Sequence, residues 1–169
     1  MKAKLIIENK EIEIEISEEE YKKLQPPEEK KTGYERVPKN GHYFYEFGKG
    51  DVESDVEDCY DIDNEYYESA NYYSDKTVAE NNARADKLMR QLRRFSVEHR
   101  EDEVNLNNAN TQKHCIYYDY ENDKLGGGLA LCSKFFGTIY FDSEETAQAA
   151  IDAFHDELIW YFTEYKDSL

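Results

Sequence analysis

Residues 70–79, ANYYSDKTVA, and residues 137–147, GTIYFDSEETA, decide how the chain is read. Each stretch has the pattern of a strand end, a Ser/Asp cap and a helix carrying an alanine in its second turn. Each follows an aromatic strand and a turn. Two explanations fit the match. One is an internal duplication of a ββα unit; the other is ordinary strand-to-helix chemistry met twice.

Working outward from the first stretch, HYFYEF (42–47) has strand composition and Gly48-Lys49-Gly50 marks a turn. Downstream, a long helix is expected to start with Ser74 as N-cap, with Ala85, Leu88, Leu92 and Phe95 on one side at helical spacing. Residues 101–113 are polar and asparagine-rich, a loop. HCIYYDY (114–120) reads as a strand, ENDK as a turn, and LGGGLALC and GTIYF as further strands. Gly126-Gly127-Gly128 lacks the phosphate-loop pattern and suits a bulge or tight bend. Asp142 and Glu145 form a capping box for a final helix. Its apolar stripe is Ala147, Ile151, Phe154, Leu158, Tyr161 or Phe162, and Tyr165.

At the N-terminus, Leu5 and Ile7 alternate on one arm of a hairpin and Ile12, Ile14 and Ile16 on the other, with Asn9-Lys10 at the turn. Ser17 and Glu20 form a capping box for a short helix through about Leu24, which Pro26-Pro27 stops. The expected organisation is a hairpin-helix appendage (1–25), a linker (26–41) and a main domain (42–169). The fold class is α+β: the hairpin and short helix, then antiparallel strands with two long helices.

The formal net charge is −17 over 169 residues. A field of that sign repels nucleic acid and acidic membranes and attracts basic surfaces. The 15 tyrosines supply apolar area that the 39% hydrophobic content lacks, giving a modest core with a tyrosine-rich rim. Cys59, Cys115 and Cys132 have no metal-ligand or disulfide-framework spacing and read as reduced structural thiols of a cytoplasmic protein. There is neither a signal-peptide pattern nor an apolar run near the roughly 20 residues of a membrane span. The four histidines show no ligand spacing and there is no nucleophile motif, so neither enzyme activity, cofactor nor metal is expected.

The candidate site is DVESDVEDCYDIDNEYYES (51–69), with nine carboxylates and no lysine or arginine. Extended, it places Asp51, Glu53, Asp55 and Glu57 on one face, roughly 6.6 Å apart at about 3.3 Å rise per residue. That rail resembles a duplex, which carries about one charge per 1.7 Å of axis. Asp58, Asp61 and Asp63 extend the charge, and Tyr66 and Tyr67 would anchor a partner. The plainer alternative is a solvated acidic loop. An EF-hand reading of 61–72 lacks the glycine at its sixth position, Tyr66, and the acidic ligand at its twelfth, Tyr72. Lys87, Arg90, Arg93, Arg94 and Arg100 fall off the apolar stripe of the long helix. They are expected either to neutralise the acidic stretch or to meet nucleic acid. Trp160 lies opposite the final helix's core stripe with Ala149 and Ala153, a face expected to be buried in the fold or to form a homodimer or partner contact.

The segments ESANYYSDKTVAENNARADKLMRQLRRF and GTIYFDSEETAQAAIDAFHDELIWYFTEYKD resemble a group of phage and prophage proteins of Gram-positive bacteria. The resemblance covers most of residues 40–167, with Ala70 standing where many such sequences have glycine before the Asn. It implies no single activity. Small acidic phage proteins include inhibitors of host defence, among them anti-CRISPR and anti-restriction proteins that imitate DNA, and also virion and assembly proteins. The leading expectation is therefore a non-enzymatic inhibitor in the host cytoplasm. It would occupy the basic groove of a nucleic-acid-binding host nuclease such as a Cas effector, without itself binding nucleic acid or membrane. The alternatives are an oligomerising virion or assembly adaptor and a nucleic-acid-binding protein using the basic helix 84–100.

Overall fold

The computed structural model describes residues 2–7, 10–15, 17–19, 31–101, 108, 110–131 and 133–165. The chain divides into two units, Met1–Lys31 and Thr32–Leu169.

The first unit holds an antiparallel hairpin, β1 (Lys2–Ile7) and β2 (Lys10–Glu15), with Leu5 opposite Ile12. Lys10, expected in the turn, opens β2 and pairs with Ile7. Glu18 and Glu19 are helical. The rest of the expected short helix and Pro26-Pro27 lie outside the described residues.

The second unit runs β3 (His42–Phe47), β4 (Asp51–Val56), α1 (Asp61–Glu68), α2 (Lys76–Glu98), β5 (Lys113–Asp119), β6 (Lys124–Ala130), α3 (Glu144–Ala153) and α4 (His155–Thr163). Mixed α and β structure with antiparallel hairpins matches the expected fold class. The two junction segments occupy equivalent places. Phe44 exchanges backbone hydrogen bonds with Tyr73 at 2.8 and 2.9 Å, and His114 does the same with Phe141 at 3.0 and 2.8 Å. A single isolated bridge thus attaches the segment before the helix to the first strand of each of these two hairpins. The helix N-cap follows two residues later in both. Asp75 caps α2 by accepting from the N–H groups of Thr77 and Val78, and Ser143 caps α3 by accepting from that of Thr146. Ala79 and Ala147, the matched alanines, are both fully buried. These shared bonds give the two junctions the same local geometry.

Other expectations change in the second unit. The caps are Asp75 and Ser143, one residue beyond Ser74 and Asp142. Ser74 instead donates its backbone N–H to Gly33 and its hydroxyl to Glu35, and Asp142 accepts from the Glu101 N–H. GTIYF contributes only the single bridge at Phe141, not a strand. The three glycines sit in regular, fully paired β6 with no bulge. A Cβ at Gly126 would come within 2.7 Å of the Tyr117 ring, which lies across the strand, and one at Gly127 within 3.7 Å of Ala147 on the other face. The final helix breaks at Phe154 (φ −123°, ψ 23°) into α3 and α4. Residues 32–41, expected as linker, bond into the second unit: Gly33 is buried under Val78, and Arg36 and Val37 reach Glu57 and Tyr72.

Helix α2 is a wall common to both halves, packing on β3 and β4 and also on α3 and α4. The main apolar cluster joins Leu88 and Leu92 to Phe141, Ala147, Ala150, Ile151 and Leu158. The tyrosines were expected at a rim. Tyr43, Tyr72 and Tyr73 are instead buried, and Tyr43 and Tyr72 stack with ring centroids 4.2 Å apart.

Candidate protein interface

Alternation along β4 sorts the acidic stretch. Asp51, Glu53 and Asp55 pair across from Phe47, Tyr45 and Tyr43, and so share one hairpin face with them. All three carboxylate residues are exposed. Val52, Ser54 and Val56 take the other face with Phe44 and Glu46. That second face meets α2, where Arg90 bonds Glu46 at 2.7 Å. Helix α1 lies against the tyrosine side: Tyr66 stacks on Tyr45 at 4.3 Å, and Tyr45 donates to Glu53 at 3.2 Å. Burial, its neighbour Tyr66 and the Glu53 hydrogen bond push the Tyr45 hydroxyl up to about 12.

Glu57 and Asp63 do not belong to the exposed rail, a correction to the sequence expectation. They are 1% and 2% exposed and hold the tyrosine core together. Glu57 accepts both fork bonds from Arg36, at 2.8 and 3.0 Å, the Tyr72 hydroxyl at 2.9 Å and the Cys59 N–H at 2.9 Å. The Arg36 hydrogen bond leads in holding its carboxyl at about 2, against the opposing effect of burial. Asp63 accepts the Tyr43 hydroxyl at 2.9 Å and the N–H groups of Tyr60 and Asp58 at 2.9 and 3.1 Å. It therefore bonds the entry to α1 as well as a core tyrosine. A buried tyrosine hydroxyl needs an acceptor, and these two carboxylates supply it.

What remains on the surface is Asp51, Glu53 and Asp55 on β4, half-buried Asp58, and Asp61. Sequence reasoning missed Glu65 and Glu68, which with Asp61 follow i, i+4, i+7 spacing on α1 and are exposed. The signal was present, but the stretch was given strand rather than helical spacing beyond Val56. Tyr67 is 43% exposed, beneath the Arg36 guanidinium at 5.4 Å, whereas Tyr66 is half-buried in the tyrosine stack. Tyr60 and Ile62 are also exposed beside this acidic surface. Residues 61–68 form a helix rather than a cation-binding loop. Among the described residues no group of His, Cys, Asp or Glu is placed to hold a metal ion.

The basic residues Lys87, Arg90, Arg93, Arg94 and Arg100 are all exposed on α2 and just beyond it. Their ion pairs run from Arg90 to Glu46 and from Arg94 to Glu98; among the described residues none reaches the 51–68 carboxylates. The hairpin separates the two charges instead of letting them neutralise each other. The Ala149, Ala153 and Trp160 face is also divided. Trp160 is buried under Arg84 at 3.9 Å, while Ala149 and Ala153 stay exposed on α3, because the break at Phe154 turns α4 away from the α3 helical register. Cys59 and Cys115 are free thiols, and Cys132 lies outside the described residues. Among the described residues no helix is long and apolar enough to cross a membrane.

Comparison with known protein families, with curated proteins and with solved structures finds no match.

Proposed function

We propose that the protein is a non-enzymatic binding protein whose β4–α1 acidic face occupies a basic, nucleic-acid-binding groove on another protein. One observation carries this reading: Asp51, Glu53 and Asp55 stand exposed on one face of an edge strand. Among the described residues no ion pair engages them. The regular spacing suits a surface built to hold successive phosphates. The resemblance to phage proteins suggests the setting: inhibition of a host nucleic-acid-dependent defence enzyme, of anti-CRISPR type, in the cytoplasm of an infected bacterium. The charges that act are Asp51, Glu53, Asp55, Asp58 and Asp61, joined by Glu65 and Glu68, with Tyr67 as the exposed anchor. Glu57, Asp63 and Tyr66 support that surface from within.

The test is capture of partners from a host lysate, followed by titration of the recovered protein. The quadruple variant Asp51→Lys, Glu53→Lys, Asp55→Lys, Asp61→Lys should keep its circular dichroism and lose binding. Raising salt from about 50 to about 200 mM should weaken the wild-type complex roughly tenfold or more, and duplex DNA should compete. Undiminished binding by the folded quadruple variant would sink the reading.

A second reading, direct nucleic-acid binding through α2, draws on the exposure of Lys87, Arg93 and Arg100, which make no ion pair among the described residues. It predicts rising anisotropy of labelled duplex DNA or RNA at low salt, and a flat titration removes it.

A further inference from the structure

Two cavities open side by side in the second half of the molecule, sharing the segment Gly137–Thr138–Ile139 as a common wall. The first, about 290 Å³, is backed by the core residues Leu88, Leu92, Phe141 and Leu158. Phe136, fully exposed, also lines it. The second, about 340 Å³, holds Arg93 and Arg100 beside Ser96 and Tyr140. Neither guanidinium makes an ion pair or hydrogen bond among the described residues. Leu92 and Arg93 are consecutive on α2, so one helix delivers an apolar wall to one cavity and a cation to the next.

Both cavities are open and lined mainly by apolar surface, and what distinguishes the second is its two guanidiniums. In the first, Leu88, Leu92, Phe141 and Leu158 offer dispersion contacts to an apolar body. The volume sits at the lower edge of the about 300–1,000 Å³ typical of ligand pockets, so the body is a short alkyl chain or a single ring. The neighbouring guanidiniums select a negative head group and match a carboxylate as a planar fork. The net charge of −17 does not forbid this, because repulsion beyond about 8 Å is screened at physiological salt.

We propose that these paired cavities bind a small anionic amphiphile, a carboxylate on a short apolar body, with the body against Leu88, Leu92 and Leu158 and the head at Arg93 and Arg100. No residue of β4 or α1 contributes, so this site and the acidic interface stand or fall separately.

The probes are octanoate, octanol and octylammonium, titrated into the full chain by calorimetry, with the thermal midpoint followed in parallel. Octanoate should bind one site at least about tenfold more tightly than octanol or octylammonium. The double variant Arg93→Ala, Arg100→Ala should erase that preference and keep octanol affinity. Thr138→Trp, which places a ring in the shared wall, should abolish binding of all three while circular dichroism stays unchanged. Any of four results overturns the proposal: no saturable octanoate binding, equal affinity for octanoate and octanol, a preference that survives in the folded double variant, or uptake of several molecules per chain.

Discussion

Glu57 shows how one side chain can be misplaced by its neighbours in sequence. It sits among carboxylates that face water, yet four donor groups from Arg36, Tyr72 and Cys59 converge on it in the interior. Replacing Glu57 with Leu removes the acceptor and leaves the buried Tyr72 hydroxyl without it, at an expected cost of about 2 kcal/mol. Replacing Asp55 with Lys should change stability by less than about 0.5 kcal/mol, since Asp55 is exposed and its carboxylate accepts only the neighbouring Val56 N–H among the described residues. Urea denaturation of the two variants checks the contrast. The pH dependence follows from the same group. The Arg36 fork holds Glu57 at about 2, below the 4.5 of a free carboxyl. Its stabilising contribution is therefore complete above about 4.5 and is lost as pH falls from there through about 2. Urea titrations at stepped pH should show that acid loss, and Glu57→Leu should flatten it.

At the scale of elements, a side chain completes a sheet. Asn71 accepts the Glu46 N–H at 2.7 Å and donates to the Glu46 carbonyl at 3.0 Å, continuing the ladder that Tyr73 begins with Phe44. The Asn71–Tyr73 segment is thus joined to β3 by one backbone pair and one amide side chain. Asn71→Ala should cost about 1–2 kcal/mol and raise amide exchange at Glu46, readable by hydrogen exchange. In the second half, the glycines of β6 let Ala147 of α3 and the Tyr117 ring approach from opposite faces. Gly127→Val adds branched bulk opposite Ala147 and should cost about 2 kcal/mol, seen as a lowered thermal midpoint. Helix α1 lies between β4 and the Tyr73 bridge of the first half; in the second half, residues 137–139, just before the Phe141 bridge, wall both cavities.

Across the whole molecule, charge is abundant and partitioned. The net charge is −17; the acidic β4 side chains lie on one face of the β3–β4 hairpin and Arg90 meets the other at Glu46, while Arg93 and Arg100 line the cavity beside Thr138 and Tyr140. Like charges in a compact body repel, and salt screens that repulsion. Thermal midpoints at pH 7 should therefore rise between about 10 and about 150 mM sodium chloride. As pH falls towards the sequence pI of about 4.6, the general repulsion fades while Glu57 is still ionised. Stability should therefore peak near pH 5, above the point at which the Arg36–Glu57 contribution begins to fail, and calorimetric scans across pH 3–8 would locate that maximum.

The elements were legible in the sequence because their signals are local. The aromatic alternation of 42–47, the Gly48–Gly50 turn and the 3.6-residue spacing of Leu88, Leu92 and Phe95 act within a few residues of one another, whereas the caps lie one residue beyond the expected Ser74 and Asp142. The repeated junction could be aligned for the same reason. The fate of each carboxylate was not local. Glu57 is buried by Arg36 and Tyr72, 21 and 15 residues away, and Asp63 by Tyr43, 20 residues away. Which of nine neighbouring carboxylates faces solvent depends on which hydroxyls and guanidinium the fold carries to it, because a buried charge persists only where donors converge. The strand period set the alternation of Asp51, Glu53 and Asp55, and the tertiary structure decided where that rail ends.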